Sequence, residues 1–288
     1  MRYVERKVGK YKMRVKANEG GIHKSLREKP DKEREPELLY ALRQEVKAGM
    51  TVMDLGANVG YVSLLLADLV GPTGKVYAIE PDPANFDLLE QNIKLNRYSK
   101  RFQTYQMGVS SYTENINFYV GKSSNLGGMV QTKNTRTEPI IVEVMSLERF
   151  LKDKEYPQLI KMDIEGHEVE VLEGLRGLLD DPDFKCKIIM ELHPNMYSED
   201  HSLERQMRKL LNKGFRTKYV ISAGVVQPDK FKEWGYEPIM EFASLRGLYD
   251  NFTDEHMIEA CCHLNKQWMP GKRKYSPKIA RFVMIERD

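Results

Sequence analysis

Cysteine is scarce in this chain: the three present in 288 residues, Cys186 and the adjacent Cys261 and Cys262, lack both the even count of a disulfide framework and the C-x-x-C spacing of a zinc site. A reducing, cytoplasmic setting is expected. Long hydrophobic runs are also missing. The first twenty residues, MRYVERKVGKYKMRVKANEG, alternate charge with single apolar side chains, so neither a signal peptide nor a membrane span is expected. Nor does charge of one sign dominate. With 45 basic and 42 acidic residues the net charge is +3, and no global field demands nucleic acid or an anionic membrane as partner. No internal repeat or long low-complexity tract is visible, and the length suits one large domain or a domain with an insertion.

What is present is a core-forming apolar content of 41% arranged in alternating patterns. YKMRVKANEGGIH reads as a strand and turn of an amino-terminal extension, and KSLREKPDKERE as a polar connector broken by Pro30. A helix is predicted from Pro36 to Gly49, with Leu38, Leu39, Leu42 and Val46 on one face. Beyond it the pattern predicts strand 51–55, helix 60–70, strand 75–80, helix 83–96 and strand 102–109. INFYV and IIVEVMS follow as strands around a Gly/Ser/Asn-rich loop, 121–138. QLIKMDI is the next main strand, with a helix over 167–178, then strand CKIIMEL and helix LERQMRKLLNKG. Such alternation implies right-handed crossovers and a mostly parallel sheet covered on both faces. TKYVISA and ARFVMIERD close the sheet as a hairpin-like pair around an aromatic, charged insertion at about 224–280, too long for a simple loop. Its EWGYEPIMEFASLRGLYDNF stretch suits a sugar platform or a buried interface.

In open parallel sheets, ligands bind beyond the carboxyl ends of strands. VMDLGANVGYVSLLLA places Asp54, Gly56, Asn58 and Gly60 there. A dinucleotide fingerprint, G-x-G-x-x-G, is not met, because Asn58 and Tyr61 stand where its second and third glycines belong. The D-x-G-x-N-x-G pattern instead suits a cofactor with an amino-acid end: Asp54 meets an ammonium directly or through water, the glycines admit close backbone approach, and the amides opening helix 60–70 take a carboxylate. Glu80, ending the second strand, is placed to accept hydrogen bonds from two ribose hydroxyls, and Ser110 to flank an adenine. Together these describe S-adenosylmethionine. The bland alternative for each is a helix cap or a turn.

LIKMDIEGHEVEVLEGL puts Asp163, Glu165, His167 and Glu168 at the next strand's carboxyl end. Carboxylates crowded there are costly unless paired, hydrogen-bonded, protonated or metal-bound. The structural alternative is that Asp163 or Glu165 caps the following helix while Glu168 is solvated. At this point the chain resembles the FkbM family of S-adenosylmethionine-dependent methyltransferases, through EPELLYAL, VMDLGANVGYVSLLLA, VYAIEPDPANFDLLEQNIKLN, VEVMSLERFL, LIKMDIEGHEVEVLEGL and IIMELHP, in the family's order from about residue 35 to 195. The D-x-E-G-x-E run is the specific part. The resemblance implies an α/β fold: a doubly wound, mostly parallel, seven-stranded Rossmann-like methyltransferase sheet over residues 49–288, with an amino-terminal extension and helix over 1–48 and a carboxy-terminal insertion. It implies Asp54, Gly56, Asn58, Gly60 and Glu80 as cofactor residues, Asp163 and Glu165 as catalytic-side acids, and O-methylation of a small-molecule, sugar or glycan hydroxyl.

A hydroxyl acceptor needs alignment with the departing sulfur and a group to take its proton. Asp163 and Glu165 are the first candidates and His193 the next. A divalent metal held by Asp163, Glu191 and His193 would serve the same end, unless Glu191 sits in a structural ion pair. Two rival readings stand beside this one. VERKVGKYKMRVK and PGKRKYSPKIAR interleave basic and aromatic residues and suit RNA, although the Asp/Asn-Pro-Pro-Tyr/Phe motif of base amino-methylases is replaced by D-I-E-G. The other rival is a binding module that retains the fold without transfer.

Overall fold

The computed structural model describes residues 2–122, 127–129, 131, 135–136, 138–224, 228–263 and 279–288. In chain order its elements are β1 (Tyr3–Val8), β2 (Tyr11–Lys16), α1 (Gly21–Glu28), α2 (Pro36–Glu45), β3 (Thr51–Leu55), α3 (Tyr61–Val70), β4 (Lys75–Ile79), α4 (Pro83–Leu95), β5 (Phe102–Tyr105), β6 (Gly108–Ser110), β7 (Glu114–Phe118) and β8 (Ile140–Ser146). There follow α5 (Leu147–Leu151), β9 (Leu159–Met162), α6 (Glu168–Glu173), β10 (Cys186–Glu191), α7 (Leu203–Asn212), β11 (Arg216–Ser222), α8 (Asp229–Glu233), β12 (Met240–Phe242), β13 (Arg246–Tyr249), α9 (Asp254–Cys262) and β14 (Ala280–Arg287).

Among the described residues the main sheet has nine strands in the order β12-β13-β11-β14-β10-β9-β3-β4-β5. The run from β10 to β5 is parallel, while β14 is antiparallel to both β10 and β11. The expected doubly wound α/β sheet is therefore present, but it has nine strands rather than seven, because the insertion adds β13 and β12 at one edge. The parallel strands read as continuous apolar runs because both faces are covered. Side chains alternate across the sheet: Met53, Leu55, Ile160, Met162 and Ile188 pack with α6, α7 and α9, while Val52, Val76, Leu159 and Ile189 pack with α2, α3 and α4. Each such fully buried side chain contributes about 1.5–3 kcal/mol.

Several expected boundaries shift for identifiable reasons. KSLRE is not connector but the end of α1, whose Ile22 and Leu26 pack against Met13 and Val15 of the hairpin and Leu64 and Leu88 of α3 and α4. Strand 102–109 is two strands, since β6 leaves the main sheet to pair with β8 in a separate three-stranded sheet with β7. The helix expected over 167–178 ends at Glu173, and Gly174, the residue that follows, lies so close to β6 that a Cβ there would stand 2.3 Å from the Ser110 carbonyl oxygen. The loop expected over 121–138 falls partly outside the described residues, as does most of PGKRKYSPKIAR.

The basic amino-terminal run forms the β1–β2 hairpin, and its alternation is structural. Met13 and Val15 face inward, while the outer backbone edge of β2 is met by α4: the Lys12 and Arg14 N–H groups donate to Asn96 and Asn92 side chains at 2.9 and 2.6 Å. The aromatic insertion is likewise core: Phe231, Tyr236, Tyr249 and Phe252 are buried together, and Trp234 stacks on His256 at 4.3 Å. None of these rings borders the cavity described next.

Candidate active site

The β3–α3 turn is shaped by close approach. Gly56 has φ of +75°, and a Cβ there would sit 2.0 Å from the Asp163 carbonyl oxygen, so only glycine lets the ends of β3 and β9 come together. Asn58 follows in the left-handed region at φ 51°, which aims its backbone N–H at Glu80 Oε2, 2.8 Å away. The other Glu80 oxygen accepts from the Asp82 N–H at 3.0 Å. Burial pushes the Glu80 carboxyl up to about 7, against these amides, which favour its charged form.

Asp54 does not take the place expected for it. It is fully buried behind the turn, directly opposite Lys161 in the β3–β9 register; Oδ1 lies 3.0 Å from Lys161 Nζ, and Oδ2 accepts from Ser63 Oγ at 2.6 Å. A direct contact between Asp54 and a ligand ammonium is thus replaced by an internal ion pair. Lys161 itself borders the cavity and donates to the Gly56 carbonyl at 3.2 Å. Gly60 is also set back: its positive φ opens α3, and a Cβ would meet Leu89 of α4 at 2.8 Å. Ser110 is buried against His167 Nε2 at 3.1 Å and does not border the cavity, so the expected adenine contact is not formed by its side chain.

The cluster after β9 meets the end of β10 across the cavity. The Glu168 carboxylate, fully buried, receives three hydrogen-bonding groups: His193 Nδ1 at 2.9 Å, the Tyr197 hydroxyl at 3.1 Å and the Gly166 N–H at 3.2 Å. Burial opposes charge on His193, but the bond to Glu168 and the nearby carboxylates outweigh it and lift the imidazole to about 9. Its Nε2 lies 3.6 Å from Glu165 Oε2. Burial, then Asp163, pushes Glu165 up to about 7, and burial with Glu191 raises Asp163. The helix-capping alternative does not hold: α6 is N-capped by His167 with no side-chain cap bond, and Glu168 is not solvated.

Part of this set borders one cavity of about 280 Å³, near the lower end of the roughly 300–1,000 Å³ usual for small-ligand sites. Gly56, Asn58, Glu80, Asp163, Glu165 and His193 all border it, with Met107, Val109 and Pro81 as apolar wall. The proposed metal set is also close, with one ligand atom each of Asp163, Glu191 and His193 within 4.8 Å of one another. Its charge is already answered. Arg281 Nη2 lies 3.3 Å from Glu191, Lys161 and Arg281 both act on Asp163, and His193 is held by Glu168. A dication would face these cations at short range, so the residues as arranged do not fit a metal.

A family model described as the methyltransferase FkbM domain matches residues 54–217, which contain both walls of this cavity. The chain belongs to the FkbM methyltransferase domain family. Hexuronic acid methyltransferase AglP of Haloferax volcanii is 27% identical over 169 residues, spanning 58% of this chain and 65% of AglP. Methyltransferase sdnD of Sordaria araneosa is 28% identical over 156 residues, spanning 43% of this chain and 60% of sdnD. The chain thus spans less than two thirds of the length of these relatives. The crystal structure of the FkbM methyltransferase of Methylobacillus flagellatus is similar at 20% identity and a TM-score of 0.36, over 50% of this chain and 32% of that one.

Within the FkbM-matched segment, sequence reasoning missed Lys161 as the partner of Asp54. The signal was there: a lysine inside the apolar strand LIKM requires a buried acid on a neighbouring strand. Arg281 and Glu35 lie outside that segment and reach the site from β14 and the start of α2, where no local pattern announces them. Among the described residues no helix is long and apolar enough to cross a membrane.

Proposed function

We propose that this FkbM-family chain is an S-adenosylmethionine-dependent O-methyltransferase acting on a hydroxyl of a sugar, glycan or other small molecule. The observation that carries the reading is that one cavity joins Glu80, at the end of β4, to the acid and histidine cluster at the ends of β9 and β10. The donor set fits the cofactor. Glu80 holds a carboxylate toward two ribose hydroxyls, next to the apolar wall of Met107, Val109 and Pro81, while the Gly56 turn leaves its backbone free of side-chain bulk. When bound, the sulfonium supplies an activated methyl group.

The chain's own residues then have two tasks. The cavity walls hold the acceptor oxygen in line at near-attack distance, which lowers the entropic part of the barrier. Glu165, poised at about 7, accepts the hydroxyl proton, with general-base help typically worth about 10²–10⁴-fold. Asp163 shares this acidic face, and His193, charged and fixed by Glu168, balances the negative charge. In this reading residues 49–288 form the transferase domain, and the 1–48 extension contributes Ile22, Arg34 and Glu35 to the cavity rim. A saccharide acceptor is favoured by the similarity to a hexuronic acid methyltransferase. Incubation with labelled methyl donor and a panel of glycans, small alcohols and RNA tests this: label on a saccharide or alcohol is expected, whereas label on RNA alone, or on nothing, overturns it.

A further inference from the structure

Among the described residues, the basic side chains bordering the cavity lie against carboxylates of the protein, with one exception. Lys161 pairs with Asp54 at 3.0 Å, Arg281 with Glu35 and with Glu191 at 3.3 Å, and His193 with Glu168 at 2.9 Å, while His167, pushed toward its neutral form by burial, lies 3.3 Å from Glu170. Arg34 borders the same cavity, and among the described residues its guanidinium has no carboxylate within 4.0 Å. The two acids beside it in sequence are committed elsewhere: Glu33 binds Arg43 and Glu35 binds Arg281. The segment is not adrift, because the Arg34 backbone N–H donates to the Tyr61 hydroxyl at 3.2 Å, which pins it beside the first turn of α3. Arginine presents a planar fork of N–H donors that matches a carboxylate bidentately, so one at a cavity rim without a protein carboxylate is able to receive an anion from solution.

We propose that Arg34 is the carboxylate-recognising residue of this cavity. The inference rests on the methyltransferase reading, which offers two sources of that group: the amino-acid end of the cofactor and an acidic sugar acceptor. Either way, the amino-terminal extension takes part in choosing the ligand, through a residue that lies outside the family-matched segment.

The test is calorimetric titration of the full chain and of Arg34→Ala with paired probes. S-adenosylhomocysteine is compared with 5′-deoxy-5′-methylthioadenosine, which keeps the nucleoside and thioether but lacks the amino-acid end. D-glucuronate is compared with D-glucose at saturating S-adenosylhomocysteine. Arg34→Ala is expected to weaken a carboxylate-bearing probe about tenfold or more and its uncharged counterpart less than twofold. Loss on S-adenosylhomocysteine assigns the arginine to the cofactor, and loss on glucuronate assigns it to the acceptor. Equal affinities in the two proteins for every probe, or an equal loss for charged and uncharged probes, overturns the proposal while leaving the methyltransferase reading in place. Absence of S-adenosylhomocysteine binding to the unmodified chain overturns both.

Discussion

On the β3–β4 wall of the cavity Glu80 is held by backbone N–H groups of Asn58 and Asp82, placed by the turns that follow each strand. On the β9–β10 wall Glu168, Glu191 and Glu165 are met by side chains from distant parts of the chain: His193 and Tyr197 beyond β10, and Arg281 on β14. Burial lifts the Glu80 carboxyl to about 7 although these amides favour its charged form. The opposite wall interleaves acids and cations whose protonation states depend on one another, which suits proton transfer. In the proposed function the first wall binds the cofactor and the second moves the proton.

Substitutions that act on one wall alone break this comparison most sharply. Glu165→Gln is expected to lower the transfer rate by about 10²–10⁴-fold with S-adenosylhomocysteine affinity unchanged. In the unmodified protein the rate is expected to rise with pH through about 7, as Glu165 ionises, and single-turnover rates with labelled methyl donor across pH check both expectations. Glu168→Gln leaves the His193 charge without its buried partner and is expected to cost about 3–5 kcal/mol in denaturant unfolding. The sign of its pH dependence follows from His193. With a pKa raised from 6.5 to about 9, protonated His193 contributes stability that is fully present below pH 6.5 and lost as pH rises through about 9, and the variant should flatten that decline.

Gly56→Ala strains the point where the two walls touch. A positive φ and a clash with the Asp163 carbonyl predict about 3 kcal/mol of destabilisation, read as a lower thermal midpoint. Glu80→Ala is expected to have the smallest effect of the set, about ten- to a hundredfold on cofactor affinity, with transfer restored at saturating cofactor. A matching fall in the saturated rate would place Glu80 on the proton-moving side instead.

The same contrast explains what could be read from the sequence. The strand-turn-helix units around Gly56 and Glu80 are encoded within about 30 residues, so the alternating pattern revealed both the parallel sheet and the strand-end acid. Asp163, Glu165 and His193 were also legible as candidates, because strand ends in such a sheet converge. Their partners were not. From the sequence Asp54 is expected to meet an ammonium directly or through water, but the β3–β9 register sets it opposite Lys161; for Glu191 a metal ligand and a structural ion pair both stand open, and β14 brings Arg281 beside it. The insertion's aromatic residues suggested a sugar platform or a buried interface, and they fill the core under α8 and α9. Each of these depends on which strands become neighbours, and local periodicity carries no record of that.

In the proposed function Glu80 and the turn at Gly56 form the nucleoside site. Titrating S-adenosylhomocysteine into the unmodified chain and into Glu80→Ala measures it most directly. Saturable binding that falls at least about tenfold in the variant is the predicted result. Identical affinity in the two proteins, or no heat from the unmodified chain, contradicts it.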